Sequence, residues 1–264
     1  MIEQFLSRGV LVAMRVGGLM TFAPFFANAA LPAPVKAGLT LVLTALLLPV
    51  YAASSVASAA PAAASVASPS DITGWLMMAL SEIALGMVIG FATQFVFEGM
   101  ELAGQIASFQ FGFSLVNVID PNSQVEVTVL STLHDLIAIL IFLQLGVHRW
   151  LLRATAMSFR VIPPGSLATA HFPAAGLIKM SGAMWLIGAE IAFPIVLATM
   201  LTDLTIGFVA KASPQFPALF FGISLKFLLG IAVLYGSVAF WPHLLERYFY
   251  HALTNLESLL AFHP

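Results

Sequence analysis

Charge is scarce in this sequence. Its 264 residues carry 22 charged side chains, ten basic and twelve acidic, where a soluble chain of this length has roughly 66. Because 60% of the positions are hydrophobic, a water-soluble domain would not find enough polar residues to cover its surface. The scarcity of charge therefore excludes most soluble classes and predicts surroundings of lipid or of other apolar helices.

The sequence also has no cysteine, and its basic residues do not outnumber its acidic ones. Without cysteine there are no disulfides, no thiolate metal ligands and no cysteine nucleophile. A formal net charge of −2 offers no basic surface for the neutralisation of phosphates. Nucleic acid is therefore not expected as a partner.

The motifs of catalysis and cofactor binding are also missing. The sequence has no His-Glu-x-x-His zinc signature, no Gly-x-Ser-x-Gly nucleophile turn and no glycine-rich phosphate loop. The adjacent residues His134 and Asp135 would project about 100° apart on a helix and do not form a site by themselves. We therefore predict a protein that is not an enzyme, with no catalytic residues, no metal site and no cofactor.

What the sequence does contain is six apolar stretches, each close to the roughly 20 residues that a membrane-spanning helix needs. They are Phe5–Phe26, Val35–Ala53, Ile72–Phe97, Val127–Val147, Ala174–Leu201 and Leu219–Trp241. The third continues without proline to Ser108, which predicts one helix of about 35 residues, longer than a bilayer core is thick. The low-complexity residues 52–70 are expected to be a linker. The pattern predicts an all-α integral membrane protein.

A stripe of small and polar residues runs along the long third helix. Its members recur every three or four positions, so they share one helix face. They are Gly86, Gly90, Gln94, Glu98, Glu101, Gln105, Ser108 and Gly112. Small residues let another backbone approach, and amide or carboxyl groups form hydrogen bonds across helix interfaces. The stripe predicts a face for other subunits or for an aqueous channel, with simple packing inside one bundle as the alternative.

A phenylalanine-rich segment, residues 109–123, follows the stripe and ends in an Asp-Pro turn. Its bulky apolar members are Phe109, Phe111, Phe113, Leu115 and Val116. Flexible backbone beside such side chains suits a deformable plug, because apolar constrictions close pores by excluding water. From the residues alone, an apolar loop buried between helices is the alternative.

Charged residues within or near the ends of the apolar stretches are the remaining candidates for function. They are Arg8, Arg15, Glu82, Glu190, Asp203 and Lys226. Such groups are costly in hydrocarbon unless they are paired or hydrated. One interpretation is a secondary transporter with ion sites at Glu82, Glu190 and Asp203, and the other is a set of inter-helix pairs that fix helix register. No repeated halves of the kind common in transporters are visible, which favours the pairs.

A series of short signatures, in a fixed order, links the chain to a known family. They are Ala23-Pro24-Phe25-Phe26, Leu31-Pro32 with Lys36, Glu82 with Leu85-Gly86, Gly90-Phe91, Ala103-Gly104, Gln110-Phe111-Gly112-Phe113-Ser114, Asp120-Pro121, Phe142-Leu143 with Gly146 and His148, Ser158-Phe159, Pro163-Pro164-Gly165, Ala192-Phe193-Pro194, Asp203-Leu204-Thr205-Ile206-Gly207, Ser213-Pro214-Gln215, and Gly222 with Leu225-Lys226. No single signature is specific, but their order and spacing together are. From about Arg15 to Trp241 the sequence resembles the FliR/SctT family of type III secretion export-gate proteins.

The resemblance implies a fold and an assembly. Such proteins have a FliP-like part followed by a FliQ-like hairpin, which correspond here to residues 1–170 and 174–264 of a single membrane domain. One subunit of this family joins a FliP pentamer and a FliQ tetramer in a closed helical assembly, and FlhB and FlhA are further expected partners. The assembly lies in the bacterial inner membrane at the flagellar basal body and rises toward the periplasm.

The resemblance also implies a function. With its partners the chain is expected to form the channel through which unfolded flagellar subunits are exported, and residues 109–123 match the family's plug loop. A subunit of virulence injectisomes, which deliver effectors, is the nearest alternative. The residues Gln110-Phe111-Gly112 and the spacing of Gly146 and His148 favour the flagellar branch.

Overall fold

The computed structural model describes residues 2–27, 31–57, 72–113, 129–163, 174–213, 215 and 217–261. Within these ranges every regular element is a helix, so the predicted all-α class is confirmed. The helices, numbered in chain order, are α1 (Ile2–Phe22), α2 (Pro24–Ala27), α3 (Ala33–Ala57), α4 (Ile72–Gln110), α5 (Val129–Gln144), α6 (Val147–Val161), α7 (Ala174–Ala212), α8 (Ala218–Val238) and α9 (Trp241–Ala261).

The third apolar stretch forms one long helix, as predicted. Helix α4 has 39 residues, which at 1.5 Å per residue gives a length of about 58 Å. Its sequence contains no proline, so nothing interrupts the backbone hydrogen bonds. Because a hydrocarbon core is about 30 Å thick, part of α4 extends beyond it.

All six apolar stretches coincide with helices, but these helices differ in their ability to span a membrane. By length and composition α4, α7 over Gly176–Ala212 and α8 over Phe220–Val238 qualify as spans. Helices α5 and α6 qualify only as a pair, and they are bent by 65° at the break. The apolar parts of α1 and α3, Gly9–Phe22 and Ala33–Pro49, are shorter. The described residues thus contain three candidate spans, or four with the bent pair, rather than six.

The Ala/Ser-rich segment at residues 52–70 is partly helical. Helix α3 continues to Ala57, because alanine favours helix and no proline intervenes between Pro49 and that residue. Residues 58–71, the remainder of the predicted linker, lie outside the described residues.

The chain divides into two compact units, each assembled from separate parts of the sequence. Unit 1 comprises Met1–Gln94, Gly146–Met180 and Phe249–Pro264, and unit 2 comprises Phe95–Leu145 and Ser181–Tyr248. The division into a FliP-like part and a FliQ-like hairpin, which follows chain order, stays a prediction.

In unit 1 the backbones of α1 and α4 approach closely at glycines. A methyl group at Gly86 would lie 2.8 Å from the Leu19 nitrogen, and one at Gly18 would lie 3.2 Å from Gly86 Cα. Helix α1 also contacts α3, and α3 contacts α6. The first part of the predicted stripe is therefore a helix-packing face within this unit.

In unit 2 a different set of glycines provides the close contacts of α4. A methyl group at Gly99 would lie 2.7 Å from Ile187 Cβ, and one at Gly104 would lie 2.9 Å from the Ser131 nitrogen. These two residues lie beside the predicted stripe and not on it. The closest backbone contacts of α4 in this unit are therefore made beside the stripe.

Candidate functional site

An aromatic cluster forms where α4 ends, in unit 2. The rings of Phe111, Phe113 and Phe227 contact one another edge to face, with centroid separations of 6.0–6.5 Å. Such geometry is favourable for aromatic pairs because the positive edge of one ring meets the negative face of another. The cluster joins the start of the predicted plug segment to helix α8.

Glycine ends α4 and sets the direction of these rings. Gly112 has a φ of 83°, a backbone conformation that side chains disfavour. Its N–H donates to the Phe109 carbonyl, and the Phe113 N–H donates to the Ser108 carbonyl, both at 3.1 Å. This pair of bonds is a Schellman motif, which satisfies the last carbonyls of a helix. The motif explains why the phenylalanine-rich segment leaves the helix at this glycine.

Helix α8 accommodates the Phe111 ring at a glycine. A methyl group at Gly230 would lie 2.6 Å from Phe111 Cζ and 2.8 Å from Phe111 Cδ1. Only a hydrogen fits at this position, so the ring lies directly against the α8 backbone. Sequence reasoning missed both Gly230 and Phe227, although an isolated glycine in the apolar run of α8 was an available signal of close approach.

The predicted plug residues therefore have different environments. Phe111 is buried, with 3% of its surface exposed, whereas Phe109 is 69% and Phe113 is 38% exposed. Leu115 and Val116 lie outside the described residues, as do residues 114–123 as a whole. At the described end of the segment, Phe111 holds the chain to the protein, Phe109 is exposed, and Phe113 packs against the cluster with part of its ring exposed.

The polar half of the stripe, from Gln94 to Gln105, is only partly covered. Gln94, Glu98 and Glu101 are half-buried and Gln105 is exposed, while Ser108 is buried. The Gln105 amide donates to Glu101 at 3.2 Å along the same helix. The prediction of a channel-facing or subunit-contacting role for this half stays a prediction.

The charged residues of unit 1 form a buried network around Arg15. Its Nε donates to Glu82 Oε2 at 2.6 Å, and neither side chain has exposed surface. Its two other nitrogens donate to Ser158 Oγ and to the Ile162 carbonyl, each at 3.1 Å. The guanidinium also lies 4.3 Å from the centre of the Phe159 ring. One arginine thus connects α1, α4 and the end of α6.

Three of the remaining candidate charges, Glu190, Asp203 and Lys226, are paired as well. In unit 2 Lys226 contacts Asp203 at 2.7 Å, and Arg247 contacts Glu190 at 3.0 Å. All three carboxylates that the transporter interpretation needs are therefore neutralised by a basic residue, which supports inter-helix pairing. Nothing can be added for the Arg8 side chain, which lies outside the described residues.

Tyr248 completes the polar group around Glu190. Burial, together with a hydrogen bond from its hydroxyl to Glu190 and the negative charge of that carboxylate, raises the pKa of Tyr248 above its ordinary value. The phenol consequently stays neutral and continues to donate at physiological pH. Helix α9, which carries Tyr248, is not among the candidate spans.

The histidine of the His134-Asp135 pair is a packing residue. His134 is buried, its Nδ1 lies 2.8 Å from the Leu130 carbonyl, and its ring lies 4.8 Å from that of Trp241. Across the described residues no group of three or more His, Asp or Glu side chains has the arrangement of a metal site.

These features define a class of protein: an all-α, multi-pass membrane protein with ion pairs that join its helices. The particular family follows from comparison with known proteins. A model of the family "Bacterial export proteins, family 1" matches residues 6–252, and the chain belongs to that family.

Individual relatives agree with this membership. The chain is 27% identical over 248 residues to the flagellar biosynthetic protein FliR of Escherichia coli, a match that covers 94% of this chain and 89% of the relative. It is 24% identical to FliR of Pectobacterium carotovorum, a match that covers 94% of this chain and 90% of the relative. It is 26% identical to FliR of Bacillus subtilis, a match that covers 71% of this chain and 73% of the relative. The predicted resemblance to FliR is confirmed.

Proposed function

We propose that this chain is a subunit of the flagellar type III protein export gate. With FliP and FliQ it would form the channel for unfolded flagellar subunits in the bacterial inner membrane, at the flagellar basal body and next to FlhB and FlhA. Family membership supports the role in flagellar export, and the three relatives described above carry flagellar names. This favours the flagellar branch over the injectisome counterpart.

The observation that carries the proposal is the structure at the end of α4. Phe111 is held against Gly230, and exposed Phe109 and Phe113 lie on either side of it. An anchored segment with outward aromatic side chains suits a plug, because the anchor keeps the segment in place while the exposed rings exclude water from a narrow opening. In the assembled gate these rings would close the channel to ions.

The surface of unit 2 supports enclosure by other subunits or lipid. Helix α8 exposes Phe220, Leu228 and Tyr235 at 66–84% of their surface. The helices of FliP and FliQ are the proposed cover for part of this apolar surface. The chain itself would be a passive conduit, and its sequence contains no glycine-rich nucleotide-binding motif.

Co-purification tests the assembly. A tagged full-length chain, expressed with FliP and FliQ of the same organism, is expected to yield one complex whose native mass corresponds to one copy of this chain with a FliP pentamer and a FliQ tetramer. A chain that purifies alone or as a small homo-oligomer when all three are expressed would contradict the proposal and favour a transporter.

Substitution of the exposed rings tests the plug. The double variant Phe109→Ala with Phe113→Ala is expected to raise ion leakage and sensitivity to small toxic molecules, with the complex assembled normally. Phe208→Ala is the matched control, since Phe208 is equally exposed, at 73%, but lies on α7 away from the plug segment in the sequence. Equal leakage from the double variant and the control would refute the assignment.

A further inference from the structure

Helix α6 exposes a face that combines arginine with large apolar side chains. All of its exposed residues belong to one of these two kinds. They are Arg149, Trp150, Arg153, Met157, Arg160 and Val161. Exposed apolar side chains beside like charges are unusual on a surface that faces only water, so this face calls for an explanation.

The two kinds of residue occupy adjacent strips. At 100° per residue, the three arginines lie within an arc of about 40°, and Met157, Trp150 and Val161 lie within the next arc of about 40°. The helix thus has a basic strip and an apolar strip side by side. This arrangement is typical of helices that lie in a membrane interface, with the charges among head groups and the apolar side chains among acyl chains.

The opposite side of α6 is fixed to unit 1. Val147, Leu151, Thr155 and Phe159 are buried, and Arg15 holds Ser158 and the Ile162 carbonyl. The exposed face is therefore presented by a helix whose rotation about its axis is already determined.

A groove runs beside the apolar strip, between α6 and α9. It has a volume of about 370 Å³ and is lined by Trp150, Arg153, Ala154 and Met157 on one side and by Tyr250, Leu253, Thr254 and Glu257 on the other. Tryptophan and tyrosine, which line opposite walls here, are enriched at the membrane–water interface because their rings are apolar and their polar ends stay hydrated.

The charge of this region is predominantly positive. Among the described residues no carboxylate forms an ion pair with Arg149, Arg153 or Arg160, and Glu257 in the groove offsets only part of their charge. The helix has 15 residues, which is too short to span a bilayer and too rich in arginine to lie in its centre.

We propose that this face of α6, with the groove beside it, binds anionic phospholipid at the membrane interface. The three arginines bind phosphate groups, and Trp150 and Met157 contact the upper part of the acyl chains, one of which enters the groove. An acidic protein surface would match the basic strip but not the adjacent apolar strip and groove, so lipid is the better match. The inference goes beyond the proposed export function and does not depend on it.

Native mass spectrometry of the purified full-length chain tests the proposal. The protein in detergent is titrated with dioleoylphosphatidylglycerol and, separately, with dioleoylphosphatidylcholine. A clear preference for phosphatidylglycerol is expected for the wild type. Because each basic residue near an anionic lipid surface contributes about a fivefold effect, the triple variant Arg149→Gln, Arg153→Gln, Arg160→Gln should bind phosphatidylglycerol about a hundredfold more weakly and phosphatidylcholine unchanged.

Lys179→Gln with Lys211→Gln is the matched control, because both lysines are exposed and lie on α7. This variant is expected to keep most of the preference for phosphatidylglycerol over phosphatidylcholine. An equal affinity of the wild type for the two lipids, an undiminished preference in the triple variant, or an equal loss in the control would each overturn the proposal.

A second measurement keeps the proposal testable if the triple variant folds poorly. Since the chain has no cysteine, Met157→Cys provides a single site for a fluorescent label on the apolar strip. In vesicles that contain phosphatidylglycerol, nitroxide lipids labelled near the head group are expected to quench the fluorescence of this label. Iodide dissolved in the water is not expected to quench it. Quenching by iodide without quenching by the nitroxide lipid would refute an interfacial position for α6.

Discussion

Replacing Gly230 with alanine tests whether Phe111 anchors the start of the plug segment. The new methyl group would lie 2.6 Å from Phe111 Cζ, whereas ordinary contacts begin at 3.4 Å. Phe111 Cε1 would lie closer still, so the ring would have to move by more than about 1 Å or leave its place against α8. Overpacking of this kind costs about 1–3 kcal/mol, and loss of a buried phenylalanine costs about the same.

Part of this cost is offset by helix propensity, since alanine in a helix interior is favoured over glycine by about 1 kcal/mol. We expect Gly230→Ala to be destabilised by up to about 2 kcal/mol net. Gly236→Ala is the matched control on the same helix, because nothing lies within 4 Å of a methyl group there. It should gain about 1 kcal/mol, so the two variants should differ by the overpacking cost of about 1–3 kcal/mol.

Thermal unfolding of the purified chain in detergent measures this difference. At roughly 2–4 °C per kcal/mol for a chain of this size, Gly230→Ala should melt several degrees below Gly236→Ala. Adding Phe111→Ala to Gly230→Ala should remove the clash, so the double variant should lose less than the sum of its two single effects. Equal melting temperatures for the two glycine variants, or simple additivity in the double variant, would refute the anchoring role of Phe111.

The buried network and the close helix contacts give further predictions. Arg15→Met and Glu82→Gln should each destabilise the chain by about 3–5 kcal/mol because each disrupts a buried ion pair, and Arg15→Met with Glu82→Met should recover much of that loss; equal unfolding temperatures for the single and double variants would contradict this. Gly18→Ala should lower the melting temperature and Gly17→Ala should not, because only Gly18 has backbone within 4 Å of its new methyl group. For Tyr248 the raised pKa means that its contribution to stability is complete below the ordinary value of 10.0 and is lost as pH rises through the folded-state pKa; Tyr248→Phe should therefore flatten the alkaline fall in melting temperature, and an unchanged slope would count against it.

Much of the fold follows from local sequence. The length of α4 was predictable because the apolar run from Ile72 continues without proline. Gly112, which the stripe placed on the helix face, instead lies in the turn after the helix ends at Gln110. The close approach at Gly86 and Gly90 was likewise predictable from their spacing on one helix face. These are properties that a short stretch of chain determines by itself.

The partners of these residues were not predictable in the same way. Arg15 binds Ser158 across 143 positions of sequence and Glu82 across 67, and no local period indicates which acceptor a buried arginine will find. The same holds for Phe111 and Gly230, which are joined only through the packing of α4 against α8. The contrast between buried Phe111 and exposed Phe113 also depends on the turn at Gly112, since a continuous helix would have directed these rings differently.

The paired charges change what the low charge content means. A chain that lay entirely in lipid could dispense with ionisable side chains, but here Arg15, Asp203 and Glu190 each join one helix to another. The buried pair of Arg15 and Glu82 is costly to break by removing one partner, so it fixes which helices meet and in what register. The arginines of α6 are exposed instead, without ion-pair partners among the described residues. The buried pair of Arg15 and Glu82 therefore helps to hold the fold together, whereas the exposed arginines of α6 are available to whatever surrounds this helix.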